Sequence, residues 1–265
     1  MGLNNRQRQI LEIARSNGTV VIEELARHFD VTPQTIRRDI NQLCEDHLLE
    51  RHHGGAGIPI AAENIGYEIR QVAFSEEKQA IGRMVARDIP DRASLFINIG
   101  TTTEAVAQAL RVRKGLKVIT NNLNVAGLLG SHGDFEVIVT GGVVRHSDLA
   151  VIGASAVDMI SQFKVDYAVI GISGIDLDGT LLDFDYREVR VAQAIMRNAR
   201  RTFLAADHTK IGRNALVRLG HVSQLSAIYT DLEPPPPLSA ILEKADVRVR
   251  IAPPLAPDST DDTVF

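Results

Sequence analysis

The segment Val31–Leu43 constrains the fold most, because it combines the start signals of a helix with a helical repeat of apolar residues. Thr32 can accept hydrogen bonds from the first N–H groups of a helix, and Pro33 suits the first helical position, where no N–H is needed. Apolar residues recur at i, i+4 and i+7, and these are Ile36, Ile40 and Leu43. The segment is therefore predicted to form a helix that buries one narrow stripe.

The opposite face of this predicted helix is polar. It carries Gln34, Arg37, Arg38 and Asn41, with Thr35 on its flank. Amide and guanidinium groups can bind phosphates and touch base edges in the major groove of DNA. An ordinary surface helix with two solvated arginines fits the same pattern, so the surrounding sequence has to separate the two interpretations.

The neighbouring segments favour DNA recognition. Glu23–Phe29 is predicted to be a short amphipathic helix, and Asp30–Thr32 is a tight connection to the next helix. This arrangement is typical of a helix-turn-helix, whose second helix enters the major groove. Residues 6–15 are predicted to form an earlier helix. Extended runs on both sides of Gly54-Gly55 predict a small hairpin, the wing of a winged helix.

Net charge does not support binding to nucleic acid. The formal charge is −4 at pH 7, and residues 1–57 carry seven arginines against eight acidic residues. The basic surface that many DNA-binding domains show is missing from this composition. Binding would therefore depend on local placement of Arg37, Arg38 and Arg51, on helix N-termini, and on an oligomer that doubles the contacts.

Other features of the composition point to the cytoplasm. The chain shows neither an apolar run of membrane-spanning length nor a signal peptide. Its single cysteine, Cys44, cannot form an internal disulfide. We therefore expect a cytoplasmic protein.

After residue 74 the pattern changes to an alternation of β-rich and helical runs. Ser75–Asp88 is predicted to be a helix. The predicted strands are Leu95–Asn98, Leu116–Thr120, Phe135–Thr140, Tyr167–Ile172, Thr202–Ala206, Ala227–Thr230 and Val247–Ile251. Further helices are predicted near Thr103–Leu110, Leu123–Leu129, Ala154–Phe163, Arg187–Arg200 and Leu238–Ala245. Alternation of this kind predicts an α/β domain with a mainly parallel sheet.

Polar residues follow several predicted strands, where ligands bind in open α/β sheets. Gly100–Thr103 offers backbone N–H groups, hydroxyls and a helix dipole to a phosphate, although it lacks the GK[ST] of a Walker loop. Asn121 could bind hydroxyls, and Gly141-Gly142 would let the backbone approach a ligand. Asp207 and Lys210 could hold a hydroxyl and a phosphate. Each alone also fits a turn or an ion pair.

Two motifs, Pro33–Asp39 and Arg51–Ala56, resemble those of the DeoR-type bacterial repressors and lie at that family's spacing. The resemblance implies a winged helix-turn-helix domain that binds operator double-stranded DNA. The contacts it implies come from Thr32, Gln34, Thr35, Arg37, Arg38, Asn41, Arg51 and His53. The family usually places a Ser or Thr cap where Val21 and Ile22 stand, so this chain departs from the pattern there.

The resemblance extends over nearly the whole chain and implies an effector domain that resembles ribose-phosphate isomerase and the CoA transferases in fold. Such domains sense phosphorylated sugars or polyols. The effector-binding residues implied are Lys78, Gly100, Thr101, Thr102, Thr103, Asn121, Gly141, Gly142, Gly174, Asp176, Asp207 and Lys210. Longer strings such as Phe184–Arg190 narrow the implied effector to glycerol 3-phosphate, acting as inducer. The family also implies a homo-oligomer, a tetramer.

The expected organisation is a winged helix-turn-helix domain at residues 1–57, a linker at 58–74, an α/β effector-binding and oligomerisation domain at 75–252, and a disordered tail at 253–265. The leading hypothesis is a repressor that releases operator DNA on binding its effector. We expect no catalytic residues, metal or cofactor.

Two other functions remain open from the sequence. An isomerase-like enzyme fused to a DNA-binding module could use Asp207 or Asp176 as base and Lys210 as electrophile. However, a sensor needs the same groups, and fold does not imply activity. An architectural DNA-binding protein whose second domain only oligomerises fits less well with clustered polar loops.

Overall fold

The computed structural model describes residues 3–17, 19–46, 48–52, 54–57 and 66–255. The chain divides into two compact units, Met1–Ala73 and Phe74–Phe265, which we call the N-terminal unit and the sensor unit. Within the predicted linker, residues 58–65 lie outside the described residues, and the rest includes a short helix. Residues 256–265 of the predicted tail also lie outside them.

The N-terminal unit contains the predicted helices and wing. Its elements are α1 (Asn5–Asn17), β1 (Thr19–Val21), α2 (Ile22–His28), α3 (Pro33–Glu45), β2 (Glu50–His52), β3 (Gly55–Gly57) and α4 (Tyr67–Val72). The strands form an antiparallel sheet in the order β1-β3-β2, and β1 was not predicted. Ile36, Ile40 and Leu43 are fully buried in the core of this unit, which confirms the predicted stripe.

The wing supplies the hydrogen-bond acceptor that a side-chain cap would give at the start of α2. Val21 precedes α2 in an extended conformation and makes no side-chain capping bond. Instead, the first N–H of the helix, that of Ile22, donates to the Gly54 carbonyl at 3.1 Å. Gly55 allows this close approach, because a Cβ there would lie 1.9 Å from the Val20 carbonyl oxygen. The turn of the wing thus fixes the start of α2.

The sensor unit alternates strands and helices as predicted. Its helices are α5 (Ser75–Asp88), α6 (Thr101–Leu110), α7 (Leu123–Gly130), α8 (Ala154–Ile160), α9 (Tyr186–Arg197) and α10 (Pro236–Lys244). Its strands are β4 (Ser94–Ile97), β5 (Lys117–Thr120), β6 (Glu136–Val139), β7 (Val143–Arg145), β8 (Ala150–Ile152), β9 (Val165–Ile170), β10 (Gly174–Ile175), β11 (Thr180–Asp183), β12 (Ala199–Ala205), β13 (Val217–His221), β14 (Ala227–Thr230) and β15 (Arg248–Ile251).

One parallel sheet, in the order β15-β14-β12-β9-β4-β5-β6, joins all the predicted strands. Large apolar cores pack against both of its faces. In chain order, β5 and β6 are added on one side of β4, and later β12, β14 and β15 are added on the opposite side of β9. The order therefore reverses between β4 and β9, and such a point leaves a crevice at the carboxyl ends of the strands.

Five further strands lie outside this sheet in the described part of the sensor unit and were not predicted. The hairpin β7–β8 follows β6, and β10, β11 and β13 form a separate antiparallel sheet. Among the residues described, helices fall short of the length and apolarity that a membrane crossing requires.

Candidate DNA interface and effector site

Helix α3 presents the polar face expected of a recognition helix. Thr32 caps it, since its hydroxyl accepts the Thr35 N–H at 3.3 Å. Four members of the predicted DNA-binding set on this helix are exposed, and these are Gln34, Arg37, Arg38 and Asn41. Arg37 lies 3.9 Å from Glu23 in a solvent-exposed ion pair, which is worth little energy and leaves the guanidinium available to a stronger partner.

The wing contacts the same helix face. Arg51 on β2 donates a hydrogen bond to the Asn41 amide oxygen on α3. Two members of the predicted set, separated in sequence, are thereby brought together at the surface. His53 lies outside the described residues, so its predicted role stays a prediction.

The loop Gly100–Thr103 lies where the strand order reverses. Gly100 follows β4 with φ 137°, a conformation that L-residues rarely adopt, and it precedes the first turn of α6. A Cβ on Gly100 would lie 3.9 Å from Cα of Gly171, which follows the neighbouring strand β9. The N-terminus of α6 therefore opens into the crevice, where its N–H groups suit an anion.

Thr103 has a different role from the predicted phosphate contact. Its side chain is fully buried, and its hydroxyl lies 2.7 Å from the carbonyl oxygens of both Asn98 and Gly100. Because a hydroxyl has one proton to donate, this group closes the loop on itself. The hydroxyls that the loop can offer to a ligand are those of Thr101 and Thr102.

Asn121 follows β5, next to β4, and is fully buried. Its side-chain Nδ2 donates to the Val151 backbone carbonyl at 3.2 Å, and its backbone carbonyl accepts the Val151 N–H at 2.7 Å. Its Oδ1 is buried and has no hydrogen-bond partner within the described part of the chain. A buried acceptor without a donor is costly, so it fits a site that a ligand hydroxyl completes.

Asp207 follows β12 on the other side of β9 and is 1% exposed. Burial alone would raise the pKa of its carboxyl, but the positive charges of Lys210 and Lys78 bring the pKa down to about 2. Asp207 also accepts hydrogen bonds from the N–H and hydroxyl of Thr209. Lys78, on α5, is itself only 4% exposed. The fold thus gathers two cations from distant segments around one buried carboxylate.

Three of the four remaining predicted effector residues make close contacts within the protein. Gly141 and Gly142 are exposed, and a Cβ on Gly142 would lie 2.6 Å from the Ile152 carbonyl oxygen. A Cβ on Gly174 would lie 2.1 Å from the Arg213 carbonyl oxygen. Asp176 is exposed, and its carboxylate accepts the Leu177 N–H within the turn that joins β10 to β11. Among the described residues, no atom lies within 4 Å of a Cβ placed on Gly141, and an effector role for these four residues stays a prediction.

A buried charge cluster at the hairpin β7–β8 was not predicted. The Arg145 guanidinium donates to Asp148 at 2.9 and 2.6 Å, to Asp185 at 3.0 Å and to Glu188 at 2.8 Å. Burial raises the pKa of Glu188 to about 8, and the charge of Asp183 adds to this rise. Glu188 lies on α9, and its hydrogen bond to Arg145 joins residues that are 43 positions apart in the chain.

Amide side chains connect this cluster to the candidate effector site. Asn122 and Asn124 donate to the Glu104 carboxylate on α6 at 3.0 and 3.1 Å. Asn124 also donates to the Asp148 carbonyl at 3.2 Å. The first turn of α6, the end of β5 and the hairpin therefore form one hydrogen-bonded network.

Comparisons with known proteins match each of the two units to a known domain family. Residues 6–60 match the family model for the DeoR-like helix-turn-helix domain, and residues 73–232 match that for the DeoR C terminal sensor domain. Half of the chain also superposes on solved structures such as ribose 5-phosphate isomerase A from Neisseria gonorrhoeae. That likeness is limited, with 12% identity, a TM-score of 0.38, and coverage of 51% of this chain and 52% of the other.

Curated relatives match over nearly the full length. The glycerol-3-phosphate regulon repressor of Escherichia coli is 47% identical over 95% of this chain and 99% of its own. The glycerol-3-phosphate regulon repressor of Haemophilus influenzae is 48% identical over 85% of this chain and 88% of its own. With both domain models and these relatives in agreement, the chain belongs to the DeoR family of helix-turn-helix transcriptional regulators.

Proposed function

We propose that this protein is a transcriptional repressor of glycerol metabolism that releases operator DNA when it binds glycerol 3-phosphate. The pairing of Asp207 with Lys78 and Lys210, at the sheet edge where the N-terminus of α6 also lies, carries the proposal most directly. Two cations and a helix N-terminus suit a phosphate. The relatives named for the glycerol-3-phosphate regulon supply the identity of the effector.

In the proposed complex the phosphate lies at Gly100–Thr102, and Lys210 and Lys78 add charge-assisted bonds. Asn121 Oδ1, a buried acceptor without a donor in the described residues, accepts a polyol hydroxyl. Asp207 holds the lysines in place and accepts a second hydroxyl. A ligand held in this way releases DNA only if it binds the DNA-incompetent form more tightly.

A thermal-shift panel tests the choice of ligand. It compares glycerol 3-phosphate, hexose and pentose phosphates, and unphosphorylated glycerol. A ligand that binds only the folded state raises the melting temperature with concentration. We expect glycerol 3-phosphate to give the largest shift and glycerol none. A larger shift with a hexose phosphate would replace the proposed effector by a sugar phosphate.

The isomerase alternative has less support. The two relatives named above, which match 95% and 85% of this chain, are transcriptional repressors. A site that only binds a phosphate ester uses the same lysines and carboxylate. Incubation with sugar phosphates in deuterated water would show proton exchange next to the carbonyl only if the site catalyses isomerisation.

Operator recognition by α3 gives a prediction for one side chain. Arg38 is exposed, and it forms neither an ion pair nor a hydrogen bond within the described residues. Arg38→Ala is expected to weaken operator binding by about 1–3 kcal/mol if the lost contact is to a base. Gel-shift titration measures this, with Arg190→Ala on α9 as the matched control. Equal affinity of Arg38→Ala and wild type would remove this side chain from the interface.

We also propose a homo-oligomer, a tetramer, because a single N-terminal unit with near-zero net charge is a poor DNA ligand. An even number of copies would place two recognition helices on a symmetric operator. Multi-angle light scattering at micromolar concentration is expected to report an even-numbered assembly. A monomer that persists in the presence of operator DNA would contradict this.

A further inference from the structure

Phe74 is the first residue of the sensor unit, and its backbone is unusual. It caps α5 in the left-handed conformation, with φ 55° and ψ 38°, although it is neither Gly nor Asn. A bulky residue in this region is strained, and surrounding contacts must offset the strain. The Phe74 side chain is buried, so those contacts come from its packing.

One of these contacts is with the loop at residues 207–210. The rings of Phe74 and His208 meet edge to face, with centroids 5.3 Å apart and planes at 87°. Asp231 fixes His208 twice, since its carboxylate accepts the His208 N–H at 2.7 Å and contacts ring atom Nδ1. Phe74 therefore packs against a ring that is held in place, and that ring belongs to the residue next to Asp207.

A second contact joins the same turn of α5 to the same loop. The N–H of Lys78 donates to the Phe74 carbonyl at 3.0 Å, so the two residues lie one helical turn apart. The buried Lys78 ammonium lies close enough to Asp207 to stabilise its charged form. The first turn of α5 thus meets the segment 207–210 through one ring contact and one charge interaction.

We infer that Phe74 and His208 relay effector occupancy from the loop 207–210 to the chain that leads into the N-terminal unit. The inference rests on the proposed function. A phosphate dianion that binds Lys78 and Lys210 competes with Asp207 for their charge and so repositions the first turn of α5. Phe74 is where this displacement passes to Ala73 and helix α4. The two aromatic rings are positioning groups and do not touch the effector.

The test compares the affinity of glycerol 3-phosphate for free protein with its affinity for operator-bound protein. Coupled sites typically give a ratio of about 5–150. Phe74→Leu keeps apolar volume and removes the ring, and it is expected to leave the affinity of the free protein unchanged while the ratio falls towards one. His208→Gln removes the other ring and must lower the ratio as well. Isothermal calorimetry measures both affinities.

Phe135→Leu is the matched control. Phe135 packs against His132 in a similar edge arrangement, with centroids 4.6 Å apart, just before β6. It is expected to keep the wild-type ratio. A wild-type ratio above one that persists in both Phe74→Leu and His208→Gln overturns the relay alone. A wild-type ratio of one overturns the proposed function and the relay with it.

Discussion

Replacing Arg145 by methionine should lower the free energy of unfolding of the sensor unit by about 3–5 kcal/mol. The reason is that Asp148, Asp185 and Glu188 all accept hydrogen bonds from this one guanidinium, and they would remain largely buried without it. The chain has no tryptophan, and three of its four tyrosines lie in the sensor unit, so tyrosine fluorescence during urea unfolding reports on that unit.

Glu188→Gln tests the same cluster, and its expected effect on stability depends on pH. The pKa of Glu188 is raised to about 8 in the folded protein, above its ordinary value of 4.5, so the folded state binds the extra proton. The stabilisation from this proton is complete below about pH 4.5 and is lost as the pH rises through about 8. Glu188→Gln should therefore gain stability relative to wild type over that range. An Arg145→Met protein within about 0.5 kcal/mol of wild type would contradict the role of the cluster.

Replacing Lys78 by methionine should weaken effector binding by about 1.5–3 kcal/mol, which is roughly tenfold to more than a hundredfold. Lys78 is 4% exposed, so its charge acts in a site largely shielded from water, where a lost charge-assisted bond is not replaced. Calorimetric titration of DNA-free protein with glycerol 3-phosphate gives the affinity directly.

Two further variants separate loss of charge from general damage. Lys244→Met removes an exposed lysine from the last turn of α10 and is expected to bind the effector as wild type does. Lys78→Arg keeps the positive charge and should restore part of the lost affinity. Wild-type affinity in Lys78→Met would show that the phosphate binds away from α5.

Most strands of the main sheet could be predicted from the sequence because they contain buried apolar residues and alternate with helices that have their own period. Val165–Ile170 and Ala227–Thr230 are examples. The hairpin β7–β8 and the strand β10 could not, since two or three residues are too short to show any repeat. The wing was predictable for a different reason, because Gly54-Gly55 marks its turn.

The candidate effector site could also be predicted only in part. Gly100, Asn121 and Asp207 could be predicted to lie near one another, because each follows a strand and parallel strands bring their carboxyl ends to one edge. The sequence could not show that the Thr103 hydroxyl is used within its own loop. The Arg145 cluster could not be predicted either, since contacts between residues 40 and 43 positions apart in the chain leave no local sequence pattern.

The most direct test of the central claim is release of operator DNA. Wild type, Thr102→Ala and Lys210→Ala are each bound to a fluorescent operator duplex and titrated with glycerol 3-phosphate, with unphosphorylated glycerol as the ligand control. The account predicts that wild type releases DNA with glycerol 3-phosphate and not with glycerol. Both variants should bind the operator as wild type does and need a much higher ligand concentration for release. Release of both variants at the wild-type concentration would contradict the account, because the phosphate would then bind somewhere other than the carboxyl ends of β4 and β12.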